Sequence, residues 1–252
     1  MPKPTRLLIL GGTSEASALA AALAERDEFA PILSLAGRTA NPKPSPIPAR
    51  VGGFGGAEGL LDYLRGEAVD AVVDATHPFA EQISANAATA CAAARVPRLV
   101  FTRPPWRRQP GDNWIEVETI GAAVDALGLD RRIVFLTQGR LGLAAFARAP
   151  RHRYIVRAID RPAEIDALPD ARLILARGPF DSADEARLMR EEGVEILVTK
   201  NSGGEATYGK IEAARLVGVK VVIIRRPAAR EADFVTDVAD ALAWIESHRR
   251  AP

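Results

Sequence analysis

At 252 residues the chain is long enough to bury one large core or two smaller ones. Its 48% hydrophobic and 26% charged residues are those of a folded globular protein, which excludes a disordered or fibrous chain. A formal net charge of +1 gives no field that would recruit nucleic acid or an anionic membrane. The 33 basic residues include only five Lys (3, 43, 200, 210 and 220), which leaves 28 Arg. Arg forks suit carboxylates and phosphates, although a coding bias toward Arg and Ala explains most of them equally well.

The single Cys91 excludes an intrachain disulfide framework and a cysteine-based zinc or iron–sulfur site. With three histidines besides, no metal centre is expected. Cys91 lies in the alanine-rich run 85–94 and is expected to be a small core residue. No run approaches the about 18 apolar residues of a membrane span, and the first apolar run is too short for a signal peptide, so a cytoplasmic location is expected.

Taken in chain order, Leu7–Leu10 reads as a buried parallel strand and Ser14–Arg26 as a helix with Ala18, Leu19, Ala22 and Leu23 on one face. Pro31–Ala36 is a second strand. The alternating Pro42, Pro44, Pro46 and Pro48 make Thr39–Arg50 an extended loop. A helix follows to about Gly66, then a strand at Ala68–Val73, a helix from Pro78 to Arg95 and a strand at Arg98–Thr102. This alternation is that of a doubly wound parallel sheet. Trp114–Val117 is expected as a strand crossing between lobes, with a boundary near residue 125. The two expected domains are therefore 1–125 and 126–252.

In the second lobe strands are expected at 133–136, 154–158, 172–176, 196–199 and 219–224. Helices are expected near 141–148 and at 182–192, 205–217 and 235–248. Ligands of such sheets bind beyond the carboxyl ends of the strands, so the loops that leave strands are the ones to read.

Gly11-Gly12-Thr13-Ser14-Glu15-Ala16 leaves the first strand and opens the first helix. Glycines admit a phosphate close to the backbone, the helix N-terminus favours an anion, and Thr13 or Ser14 can cap the helix. Gly37-Arg38-Thr39 ends the second strand, where an acid would select NAD and an Arg accommodates the 2′-phosphate of NADP. Arg38 therefore points to NADP(H). In Gly52-Gly53-Phe54-Gly55-Gly56, four glycines flank an aromatic that can lie against a cofactor ring or simply form a turn.

Asp74-Ala75-Thr76-His77-Pro78 brings a carboxylate, a hydroxyl and an imidazole to the same edge, with Pro78 expected at the first helical position behind Thr76 or His77. His77 is either a proton donor or a plain cap. In the second lobe, Thr137-Gln138-Gly139-Arg140 places Arg140 at a helix start, and Thr199-Lys200-Asn201-Ser202-Gly203-Gly204-Glu205 offers an ammonium, an amide, a hydroxyl and two glycines. Arg157, Arg161, Arg177 and Lys210 stand near other strand ends. None of the tyrosines, at 63, 154 and 208, has Lys four residues later, and there is no Gly-x-Ser-x-Gly elbow, Walker lysine loop or HExxH helix.

Together these loops resemble the precorrin-6A reductase family of cobalamin biosynthesis. The resemblance rests on GGTSEA (11–16), AGR (36–38), VGGFGG (51–56), DATHPFA (74–80), RPPW (103–106), TKNSGG (199–204) and TYGKIEAAR (207–215), in the family's order and spacing. It implies two Rossmann-like α/β lobes with mainly parallel sheets, and a cleft between them for cofactor and substrate. The implied reaction is NADPH-dependent reduction of one double bond of precorrin-6A, an anionic tetrapyrrole, to precorrin-6B.

On this reading the NADPH-binding residues are Gly12, Thr13, Ser14, Glu15, Gly37, Arg38, Thr39, Gly53, Phe54, Gly55, Thr76 and His77. The substrate side is Arg140, Lys200, Asn201, Ser202, Gly203 and Lys210, with His77 or Lys200 delivering the proton. Another NADP-dependent reductase, or a non-catalytic NADP sensor, stays as an alternative. Metal-free versus cobalt-bound substrate and the oligomeric state stay open, a monomer being compatible with the sequence.

Overall fold

The computed structural model describes residues 3–37, 44–139, 142–227 and 233–249. The chain divides into two compact units. One runs to Pro104 and takes in the C-terminal segment after Pro227, and the other is Pro105–Pro227.

In chain order the first unit holds β1 (Thr5–Leu10), α1 (Ser14–Leu23), β2 (Phe29–Leu35), β3 (Ala49–Val51), α2 (Ala57–Gly66), β4 (Ala71–Asp74), α3 (Glu81–Ala94) and β5 (Arg98–Phe101). The second unit holds β6 (Trp114–Val117), α4 (Ile120–Asp125), β7 (Ile133–Leu136), β8 (Arg153–Ala158), β9 (Ala171–Leu175), α5 (Ser182–Glu191), β10 (Ile196–Lys200), α6 (Gly209–Val217) and β11 (Lys220–Ile224). The chain then returns to the first unit as β12 (Asp233–Val235) and α7 (Val238–Ser247).

Each unit is built on a six-stranded, all-parallel sheet. The orders are β3-β2-β1-β4-β5-β12 and β9-β8-β7-β10-β11-β6. Both are doubly wound, Rossmann-like sheets whose winding reverses beside the first strand, between β1 and β4 and between β7 and β10. A parallel sheet covered on both faces needs strands that are apolar throughout, and β1 shows why Leu7–Leu10 has no polar alternation. Leu7 and Ile9 join the core containing Leu19 of α1 and Ile245 of α7. Leu8 and Leu10 join the opposite core, with Leu60 and Leu64 of α2 and Ala87 and Cys91 of α3. Burying each of these large side chains contributes about 1.5–3 kcal/mol. In the second unit Phe135, Ile155, Leu197 and Val221 form the equivalent core with Ala186 and Met189 of α5 and Ile211 of α6. Cys91 is buried as expected, and burial pushes its thiol up to about 11, which keeps it protonated and inert.

Several expected boundaries shift. The division lies at Pro104 rather than near residue 125, and the C-terminal segment belongs with the first unit. Trp114–Val117 does not cross between lobes; it pairs with β11 as the edge of the second sheet. Its counterpart β12 pairs with β5 as the edge of the first. β12 thus enters its sheet from the far side of the other unit's sequence, and β6, the first strand of its unit, pairs with β11, the last; no local pattern announces either pairing.

Ala49–Val51, inside the expected proline-rich loop, forms a short edge strand beside β2, where missing N–H groups are tolerated. The segment near 141–148 is a 3-10 helix over Leu143–Arg148. The last helix starts at Val238, because Asp237 caps it by accepting from Asp240 N at 2.9 Å.

Candidate functional site

The turn after β1 is fixed by Thr13. Its Oγ1 accepts from Ala16 N at 3.2 Å, capping α1, and donates to the carbonyl of Ala75 at 2.6 Å. That second bond ties the turn to the loop after the neighbouring strand β4, so Gly12–Glu15 and Thr76–His77 come together at the reversal point of the sheet. Gly12 sits at φ +110°, a conformation that excludes side chains, with open space where a Cβ would stand. Among the described residues, the N–H groups of Gly12, Thr13, Ser14 and Glu15 have no acceptor. With the positive end of α1 behind them, they form a ready anion site. The Thr13 hydroxyl is spent in the cap, and Ser14 Oγ donates to Glu15 at 3.1 Å, so the donors this turn offers are backbone ones. The Glu15 carboxylate would oppose an anion, but Arg103 Nη1 pairs with it at 2.6 Å.

Around this turn the other expected residues are held by specific contacts. Gly37, two residues past β2, turns the chain at φ +70°. Arg38 and Thr39, which carry the cofactor-selectivity expectation, lie outside the described residues, as does Arg140. In the four-glycine loop, Arg50 donates to the carbonyls of Gly52 (3.0 Å) and Gly53 (3.2 Å) and lays its guanidinium 4.0 Å from the centre of the Phe54 ring. Tyr63 meets the same ring edge-on at 5.2 Å. Phe54 is therefore already packed within its own unit, between a cation and an aromatic edge, and Gly55 continues the turn at φ +80°.

After β4, the Thr76 N–H and hydroxyl donate to Asp74 Oδ1 at 3.3 and 2.7 Å, and Arg98 stands 3.6 Å from the other oxygen of this buried carboxylate. His77 Nδ1 accepts from Phe79 N at 3.2 Å, and the His77 carbonyl accepts from Ala80 N at 2.7 Å. These turn bonds delay the helix: α3 begins at Glu81, so Pro78 is not its first residue and neither Thr76 nor His77 is its cap.

In the second unit the loop after β10 is cross-braced. Asn201 grips the backbone of Trp106 at both ends, its Oδ1 accepting from Trp106 N (2.8 Å) and its Nδ2 donating to Trp106 O (3.0 Å). Trp106 Nε1 donates in turn to the Gly204 carbonyl at 2.8 Å. Buried Lys210 places its ammonium 5.3 Å from the centre of the Trp106 ring, a cation–π distance. Lys200, Ser202 and Gly203 are thus brought together with Asn201 on one braced loop, and Lys210 lies behind it. The helix expected from Glu205 starts four residues later at Gly209, after a turn over residues 206–208, and Gly209 is a position where a Cβ would clash with the Phe180 carbonyl.

Two further arginines are structural. Arg157 is buried, pairs with Glu185 through both nitrogens of its fork and stacks 3.6 Å from the centre of Phe180. Arg161 pairs with Asp166 on the surface at 2.7 Å. Residue-type reasoning missed Arg103, Trp106 and Arg226, whose guanidinium donates to the carbonyls of Asn201 (2.8 Å) and Ser202 (2.7 Å). Arg103 and Trp106 stood in a quoted motif without a role, and the signal for Arg226 was only a cation two residues past a strand end. Two open cavities, of about 430 and 550 Å³, lie at the amino ends of strands in the first and second units, away from these loops. Among the described residues no group of three metal-ligating side chains occurs, and no helix is long and apolar enough to cross a membrane.

Comparison with known proteins agrees with this geometry. The family described as Precorrin-6x reductase CbiJ/CobK matches residues 6–246. A precorrin-6A reductase of Rhodobacter capsulatus is 46% identical over 248 residues, covering 98% of both chains. One of Mycobacterium tuberculosis is 49% identical over 245 residues, 96% of this chain and 97% of its own. A cobalt-precorrin-6A reductase of Priestia megaterium is 29% identical over 233 residues, 88% of this chain and 90% of its own. The solved structure described as CobK precorrin-6A reductase superposes with a TM-score of 0.92 at 46% identity, over 98% of each chain. On the fold, the loops and these relatives, the chain belongs to the precorrin-6x reductase family and is a reductase of cobalamin biosynthesis.

Proposed function

We propose that this chain uses NADPH to reduce one double bond of precorrin-6A, giving precorrin-6B. The observation that carries the cofactor reading is the turn after β1, where four backbone N–H groups without acceptors among the described residues meet the N-terminus of α1 at the reversal point of the sheet. The relatives' names carry the substrate reading. The choice of NADPH over NADH rests on residue type, an Arg at 38 and no acid at that strand end.

In this reading Gly12, Thr13, Ser14 and Glu15 hold the pyrophosphate through their N–H groups. Arg103 neutralises Glu15 so that the carboxylate does not repel it. Gly37, Arg38, Thr39, Gly53, Phe54, Gly55 and Thr76 line the rest of the cofactor. Bound NADPH supplies a hydride from its nicotinamide. The chain orients the macrocycle through Arg140, Lys200, Asn201, Ser202, Gly203 and Lys210, and positioning of this kind supplies a large part of the rate. Asn201 acts through its grip on Trp106, and Lys210 from beneath the same indole. The proton for the neighbouring carbon comes from His77 or Lys200. Because His77 Nδ1 is an acceptor, the neutral ring carries its proton on Nε2. The enzyme acts in the cytoplasm, and one copy suffices.

The test is nicotinamide absorbance followed with precorrin-6A, with NADPH and NADH compared and the cobalt complex as a second substrate. NADPH is expected to be preferred by tenfold or more, about 1.4 kcal/mol, and Arg38→Ala to remove most of that preference. Equal use of both cofactors, unchanged in the variant, contradicts the NADPH reading. A His77→Ala or Lys200→Ala enzyme that keeps full turnover at saturating substrate removes that residue as the proton donor.

A further inference from the structure

The loop after β10 has its backbone polarity sorted. The Lys200 carbonyl accepts from Ser202 N at 2.7 Å, and the Gly204 carbonyl accepts from Trp106 Nε1 at 2.8 Å. Between them, the carbonyls of Asn201 and Ser202 accept from Nε and Nη2 of Arg226 at 2.8 and 2.7 Å. By contrast, the N–H groups of Gly203 and Gly204 have no acceptor among the described residues. The carbonyls of Lys200, Asn201, Ser202 and Gly204 are thus occupied while these two N–H groups are not, and Lys200 stands at the start of the same loop.

We propose that Arg226 is a positioning residue for substrate binding: by taking up the carbonyls of Asn201 and Ser202, it leaves a rim of backbone donors that receives a carboxylate. The guanidinium suits this task because its planar fork bonds two successive carbonyls at once and stays charged, whereas an ammonium is a single point. It also cancels the carbonyl dipoles that would otherwise repel an anion. A carboxylate complements two adjacent N–H groups geometrically, and burying the rim without an acceptor would be costly. The identity of the carboxylate's owner rests on the reading above, in which the substrate is a tetrapyrrole with carboxylate side chains. The donor rim itself does not depend on that reading.

The experiment uses the full chain and its Arg226→Gln, Arg226→Lys and Trp106→Phe variants. Arg226→Gln is expected to raise KM for precorrin-6A about tenfold, leave the NADPH Kd within about twofold, and change kcat less than KM. Arg226→Lys is expected to recover part of the loss. Trp106→Phe, which gives up the bond to the Gly204 carbonyl and weakens the cation–π contact with Lys210, is expected to give a smaller rise and serves if Arg226→Gln does not fold. In amide ¹H–¹⁵N spectra, the Gly203 and Gly204 peaks are expected to move on addition of precorrin-6A to the wild type and to stay still in Arg226→Gln. An unchanged KM in folded Arg226→Gln overturns the proposal, and so do unmoved glycine peaks in a wild type that turns the substrate over. If the wild type does not turn over precorrin-6A, the functional reading fails, and the rim is judged on citrate as a plain tricarboxylate. Glycine peaks that move with citrate and are lost in Arg226→Gln keep the rim, and peaks that do not move overturn it.

Discussion

The Thr13 hydroxyl is consumed between the α1 cap and the Ala75 carbonyl, and both amide atoms of Asn201 are consumed on Trp106. A sequence shows donor types but not where all their bonds go, which is why Thr13 was legible as a cap but not its bond to Ala75, and Asn201 as a site residue but not its grip on Trp106. His152 makes the same point for stability. It is completely buried, its Nδ1 accepts from Arg132 N at 3.2 Å, and burial, reinforced by the charge of Arg151, holds its pKa below the ordinary 6.5. The unfolded chain therefore binds a proton before the folded one does, so stability rises with pH across the interval between the depressed folded value and about 6.5. The urea midpoint is expected to fall between about pH 7.5 and about pH 5.5, and His152→Asn, which keeps an acceptor for Arg132, is expected to flatten that fall. A variant with the wild-type slope contradicts the assignment.

Elements were easier to read than their ends. The apolar run of β1 and the glycine turn after it were legible, because a strand buried on both faces and a helix N-terminus each have a local signature. The late starts of α3 and α6 were not, since they depend on turn bonds at His77 and on the turn that ties Tyr208 N to the Glu205 carbonyl. The four-glycine loop is held by a close approach. A Cβ at Gly59 of α2 would lie 1.8 Å from the Phe54 carbonyl. Alanine is intrinsically better than glycine inside a helix by about 1 kcal/mol. Here the clash is with backbone, so it wins. Gly59→Ala is expected to destabilise the protein by about 1–3 kcal/mol in urea unfolding and to weaken NADPH binding as the loop over α2 shifts. A more stable variant would show that the loop moves aside freely.

At the scale of the whole molecule, two mainly parallel sheets were expected from the alternation of strands and helices, and their sixth strands, at the edges, were not. β12 is three residues long with no pattern of its own, and β6 joins β11 across most of the second unit's sequence. Such pairings are decided by which sheet edge is vacant, a property of the assembled fold. What the two sheets share is a loop at the carboxyl ends of their strands whose backbone N–H groups have no acceptor among the described residues: Gly12–Glu15 in one and Gly203–Gly204 in the other. Assigning the first to NADPH and the second to a tetrapyrrole carboxylate gives each unit one reactant of a single reduction. The most direct measurement is deuterium transfer from NADPH labelled at the reactive nicotinamide carbon, with precorrin-6A as acceptor and each labelled face tried separately. With one of the two faces, the reduced macrocycle should carry one deuterium by mass spectrometry. If turnover leaves the product unlabelled with both, hydride does not pass directly between the two molecules, and the proposed reaction is wrong.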